Sequence, residues 1–236
     1  MKGYFKFLIF LIIMIVVCCC ENNQNDVTQK AETAIKETIT GLNITFKMSI
    51  NRNVYIYTNY GEPPQIAIWL EYPDSSFYRT VWVTHRSGKN DWEGKVECKV
   101  ALPYWNYERH ADQQSGIPLP VVDGLTGATP INGEFSVKIT VPVDTFWRYY
   151  IEVNASGDYN ENFPYWSDLG TPDSDGNGQP SIIYSGTIIA QTGNTSVPKL
   201  IGWTDQWSKF STLHTDIDKI TTAKRLVDNL SVEVTQ

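Results

Sequence analysis

Residues 121–130, VVDGLTGATP, bring an Asp, two Thr and a Gly-Ala pair together between strand-like runs. The chemistry open to such a segment is that of an acceptor hydroxyl. A threonine Oγ that is to be esterified must stand on backbone that another active site can grasp, and Gly127 and Ala128 leave the approach to Thr129 free of bulk. Glycine also tolerates sharp backbone conformations closed to other residues. Pro130 holds the residue before it extended, and Asp123 and Thr126 are then the recognition or positioning groups. Read as structure alone, the same residues supply turn chemistry to a surface connection.

A second stretch, residues 172–180, reads PDSDGNGQP. Asp173, Asp175 and Asn177 at alternate positions, followed by Gly178, reproduce the first half of a calcium loop. The position that should carry a bidentate Glu is Tyr184, so a complete loop of that type is excluded. A partial calcium site would borrow Asp158, Glu161 or Asp168; the alternative is an Asp/Asn/Gly turn entering the next strand. Hydrolytic chemistry finds no support. His85, His110 and His214 have no metal-ligand spacing with another His or Cys. No Ser sits in a nucleophile elbow, and CxxCH, the signal for attached c-type haem, is absent.

The elements that must position these residues begin with a leader. Lys2 and Lys6 precede an apolar run ending in Cys18, Cys19 and Cys20, and a polar ENNQND follows. This is the pattern of a signal peptide over residues 1–18. The cysteines resemble a bacterial lipobox, with Cys19 or Cys20 as the lipidated residue, which predicts an extracytoplasmic protein anchored to a membrane by acyl chains. Residues 19–40, polar and poor in aromatics, read as a tether. Outside the leader only Cys98 remains, in the alternating run KVECKV, and it reads as a half-buried small apolar residue. Formal charge is −7 with no basic stripe, so no nucleic-acid partner is expected.

From residue 41 the sequence alternates strictly between apolar and polar side chains, the period of a half-buried strand. Further strands are predicted at 54–58, 65–71, 77–84, 95–101, 134–141, 148–154, 181–190 and 230–234, bounded mostly by Gly, Pro, Asn or Asp clusters. Short strands so punctuated predict an all-β sandwich over residues 41–236. One helix is predicted near the C-terminus. Thr215 would cap it, Asp216 and Asp218 fall in its first turn, and Lys224 and Arg225 in its last. Ile217, Ile220, Ala223 and Val227 would form its apolar face. Tyr104, Trp105 and Tyr107 are expected at a strand end, where aromatics finish a core.

Two resemblances extend this reading. Asp123 to Thr129 resembles D-x-x-[ST]-G-A-[ST], the acceptor motif of proteins that a flavin transferase modifies with FMN through a threonine phosphoester; Thr129 would carry the flavin. The segments PQIAIWLEYPDSSFYRTVWV, LPYW, VVDGLTGATP, NGQPSIIY and LHTDIDKITTAKRLVDNLSVEV are similar to a group of uncharacterised periplasmic proteins. These are described as FlgD-like, or flagellar-hook-assembly-like, for an Ig-like sandwich. The resemblance implies association with flavin transferases and membrane redox proteins. The expected function is therefore a lipoprotein with covalent FMN that passes electrons and is not a turnover enzyme. The alternatives are a non-catalytic binding or assembly module of the cell envelope, and a calcium-stabilised carbohydrate-binding module.

Overall fold

β1 (Gly41–Ile50) buries every second side chain, as its alternation predicts, and stands between two partners. The computed structural model describes residues 41–98, 100–109, 124–207 and 212–236. The leader, the candidate lipidation sites Cys19 and Cys20, the tether, and Asp123 lie outside the described residues. The compact unit runs from Gly41 to Gln236.

Its strands are β1, β2 (Gln65–Glu71), β3 (Phe77–Thr84), β4 (Leu125–Gly127), β5 (Gly133–Pro142), β6 (Phe146–Asn154), β7 (Ile182–Ile189), β8 (Thr195–Ser196), β9 (Lys199–Trp203) and β10 (Val227–Thr235). They form a four-stranded sheet in the order β5-β1-β10-β8 and a six-stranded sheet in the order β4-β3-β2-β6-β7-β9. Among the described residues every strand pairing is antiparallel except that of β3 with β4. The class is all-β, two open sheets with a shared core. Ile44, Phe46 and Val232 from one sheet meet Ile66, Ile68 and Ile151 from the other. Phe46 meets Tyr149 edge-on at 5.6 Å, and Trp82 meets Phe135 at 4.6 Å.

The two sheets differ in how many faces are covered. β1 is half-buried, but all of β2 is buried. A second apolar cluster covers the outer face of the larger sheet, where Ala67, Trp69 and Val83 pack beneath Cys98, Val100, Leu102 and Trp105. Burying each such side chain contributes about 1.5–3 kcal/mol. The covering segment ends in α3 (Pro103–Glu108); the shorter helices are α1 (Arg52–Tyr55) and α2 (His85–Lys89).

Four expectations need correction. The C-terminal helix is absent; residues 217–219 and 223–225 form two separate 3-10 turns. Gln179 Oε1 accepts the N–H of Thr221 at 2.6 Å and of Thr222 at 3.2 Å, which takes those donors out of any helical ladder. Ile217, Ile220, Thr221 and Thr222 also crowd β-branched side chains into the segment. Ile220, Ala223 and Leu226 are nevertheless fully buried, at the three-residue period of 3-10 backbone. Residues 54–58 do not form a strand: Val54 and Tyr55 are adjacent and both buried, which the helical turn α1 allows and a two-residue period does not. The described residues of the predicted strand 95–101 form no strand, since Lys95 and Ala101 donate to Trp92 and Cys98 in turns, and Cys98 is buried in the second cluster instead of half-buried. Tyr104, Trp105 and Tyr107 lie on α3, where Trp105 is buried and Tyr107 exposed.

Candidate functional site

The predicted acceptor segment lies on the edge of the larger sheet. Leu125, Thr126 and Gly127 pair with Trp82, Val83 and Thr84, and the ladder ends there. Thr126 is held from both sides, paired to β3 and with its methyl over α2. A Cβ at Gly88 of that helix would come within 3.0 Å of Thr126 Cγ2. Gly127 lies under the Trp82 indole, and a Cβ there would stand 2.9 Å from Nε1. Beyond the ladder, the Ile131 carbonyl accepts the Tyr55 hydroxyl at 2.5 Å, and β5 begins at Gly133. Ala128, Thr129 and Pro130 thus span a gap between two fixed points. Thr126 and Thr129, equivalent as hydroxyls in the sequence, differ in place: one sits inside a strand and the other beyond it.

Thr129 lines an open cleft of about 580 Å³. Glu62, Pro63, His85 and Arg86 line the same cleft. Arg86 is paired with Glu62 at 3.2 Å, and Lys95 holds the other oxygen of the same carboxylate. The hydrogen bond from Lys95, aided by Arg86, holds the Glu62 carboxyl below its ordinary range in spite of partial burial. His85 Nε2 lies 3.0 Å from Asp91. Arg86 and Lys95 thus share one carboxylate. Behind the ion pairs lies a second, inner compartment of about 300 Å³, faced by Tyr60, Trp92, Gln65 and, beside Lys95, Asp175. Glu62, Pro63 and Arg86 border both compartments. Gln65 Oε1 accepts the hydroxyls of Thr84 at 2.7 Å and Ser87 at 3.0 Å, which ties α2 to the sheet.

Of the candidate calcium residues, Asp173 and Asn177 have their side chains engaged by protein groups, and Asp175 lines the inner compartment. Asp173 is buried, and its Oδ2 accepts the Gly178 N–H at 2.9 Å. Asn177 Oδ1 accepts Asn154 Nδ2 at 2.7 Å, while its own amide donates to the Gln206 carbonyl. Asp158 accepts two N–H groups of Gln179, and burial pushes its carboxyl well above the usual range. Among the described residues no group of three or more His, Cys, Asp or Glu gathers as metal ligands. Asn177 fastens the loop to β6 through Asn154, and Asp173 braces the loop internally.

Sequence reasoning overlooked Glu62, Arg86 and two buried carboxylates, Glu71 and Glu152. Glu152 caps α3 from 47 residues away. Its Oε2 accepts the Trp105 N–H at 2.7 Å, its Oε1 accepts the Tyr104 N–H at 3.2 Å, and Ser181 Oγ donates to Oε1 at 2.5 Å. Burial pushes its carboxyl up to about 7. Burial likewise raises Glu71 to about 7, with the nearby Glu108 adding to the shift and the 3.0 Å hydrogen bond from Trp69 Nε1 opposing it. An acid inside each of the apolar runs IWLEY and YYIEVN was the available signal.

Fold and geometry define an all-β sandwich whose edge strand ends in a short loop over a cation-bearing cleft. Comparison with protein-family models, with curated proteins and with solved structures finds no match to this chain.

Proposed function

We propose that this chain is an extracytoplasmic, lipid-anchored carrier of covalent FMN, attached through Thr129, that passes electrons between membrane redox partners. The observation that carries the reading is the placement of Thr129: past the end of β4, on three residues pinned at both ends, in an open cleft that Arg86 also lines. A flavin transferase would join Thr129 Oγ to the FMN phosphorus. The donor's pyrophosphate bond breaks, a nucleoside monophosphate leaves, and the hydroxyl proton passes to a base. The flavin then supplies the redox chemistry, and the protein supplies attachment and environment. The lipobox-like cysteines, and the resemblance of several sequence segments to FlgD-like periplasmic proteins, are the support for the compartment and the partners, and nothing in the reading requires turnover by this chain.

Co-expression of the exported protein with a flavin transferase tests it. An FMN mass adduct and in-gel flavin fluorescence are expected, lost in Thr129→Ala and retained in Thr126→Ala. A bare polypeptide mass under conditions that modify a control acceptor overturns the reading. A binding module for carbohydrate draws on a different observation: Tyr165, Trp166 and Trp207 expose their rings, and Trp166 is 58% exposed. Affinity electrophoresis in soluble polysaccharides, with Trp166→Ala as control, tests that alternative.

A further inference from the structure

The cleft in front of Thr129 and the compartment behind it share the wall formed by Glu62, Pro63 and Arg86. Each volume, about 580 and about 300 Å³, lies in or near the range of small-molecule sites, about 300–1,000 Å³. Their walls differ in chemistry. The outer cleft holds the hydroxyl and His85; the inner one holds the aromatic rings of Trp92 and Tyr60. Trp92 is fixed, since its Nε1 donates to Asn90 Oδ1 at 3.2 Å and its ring packs on the second apolar cluster. Asp175 adds an acceptor to the inner wall.

We infer that the two compartments form one groove for a flavin, with the phosphate held in the outer part by Arg86 and the isoalloxazine ring lodged in the inner part against Trp92 and Tyr60. This rests on the reading that Thr129 bears FMN, and it assigns the part of the protein that surrounds the ring. Arg86 supplies the cation for the phosphate: a phosphate esterified at both ends carries one negative charge, and the Arg86 guanidinium lines the outer cleft with Thr129. Glu62 holds Arg86 and Lys95 at the junction of the compartments. The ring matches too: its faces stack on aromatic side chains, and the N–H of its pyrimidine half suits an acceptor such as Asp175. Trp92 would then quench the flavin's fluorescence by contact and set how far solvent reaches the ring.

The test uses the full-length, detergent-solubilised protein before and after modification. Free FMN titrated into the unmodified protein is expected to show saturable fluorescence quenching. Riboflavin, which lacks the phosphate, should bind at least ~10-fold more weakly, the size of one charged contact. Arg86→Gln should remove the difference between the two ligands, and Lys95→Gln, a change at an exposed side chain, should reduce it. In the modified protein Trp92→Leu should restore flavin emission several-fold, and Trp92→Phe should do much the same, because a phenyl ring does not donate an electron to the excited flavin as an indole does. Equal binding of FMN and riboflavin, a flat FMN titration up to about 1 mM, or emission unchanged by Trp92→Leu overturns the groove. Failure of the two readings is separable. Quenching by free FMN without a covalent adduct upholds the groove and removes Thr129 as the attachment point. An adduct on Thr129 whose emission ignores Trp92 upholds attachment and removes the groove.

Discussion

Raising the pH from about 5 to about 8 should weaken this fold, and Glu152 should account for a large share of the loss. Its carboxyl is buried from solvent and pushed from an ordinary 4.5 up to about 7 because burial outweighs the three hydrogen bonds it accepts. The folded chain therefore keeps a proton at pH values where the unfolded chain has released its own. The stabilisation is complete below the unfolded value, declines as pH rises, and is gone once pH passes the folded value. A gap of that size corresponds to on the order of 3 kcal/mol. Glu71, also raised to about 7, adds a second contribution of the same sign, and Glu108 is shifted in the same direction by burial. The lowered carboxyls, such as Glu62 beside Lys95 and Arg86, act oppositely, and their contribution disappears only in more acid solution. Urea denaturation of the parent and of Glu152→Gln at a series of pH values separates these groups. The Gln variant loses an acceptor for a backbone N–H and should be less stable at pH 5 by about 1–3 kcal/mol. Its decline between pH 5 and 8 should nonetheless be roughly half that of the parent. A variant whose stability falls with pH as steeply as the parent's would refute the assignment.

Four other substitutions probe the architecture. Trp105→Ala removes the largest side chain that the covering segment places over the outer face of the larger sheet, and should cost about 3–5 kcal/mol in chemical denaturation. Gly127→Val drives a side chain into the Trp82 indole and should cost about 1–3 kcal/mol, with a near-ultraviolet dichroism change from that indole. Thr215→Ala should change the thermal midpoint negligibly, within about 0.5 kcal/mol, because there is no helix for it to cap. Ile220→Ala, by contrast, should cost about 2–5 kcal/mol, since Ile220 is fully buried in the core.

The regular strands were legible because their signals are local. Alternation in residues 41–50 and the apolar runs at 65–71 and 77–84 mark their own boundaries, and the strands coincide with them. Elements whose partners are remote were not. The segment after Thr215 has helical spacing of Ile217, Ile220 and Ala223, but the side chain that diverts its backbone donors, Gln179, is some forty residues earlier. β4 is too short to show a period and exists because β3 offers a parallel edge. The acceptor loop was legible as a string of residue types, Thr126 to Thr129. What faces it was not: Glu62, His85 and Arg86 come from other parts of the chain, and no spacing relates them to Thr129. The calcium reading was drawn from residue types alone, and those side chains are largely engaged by Gly178, Asn154 and Gln206.

β1 sits between β5 and β10 in its sheet. One neighbour is supplied midway along the chain and the other by its last strand. During synthesis at about 5–20 residues per second, β1 waits roughly 10–35 s between its own emergence and that of β10. In that interval one long edge of an apolar-faced strand has no native neighbour, the form in which strands recruit other chains. The period of greatest aggregation risk is therefore set by the order of the strands along the chain, and shortening it would require a circular permutant that makes β1 and β10 consecutive.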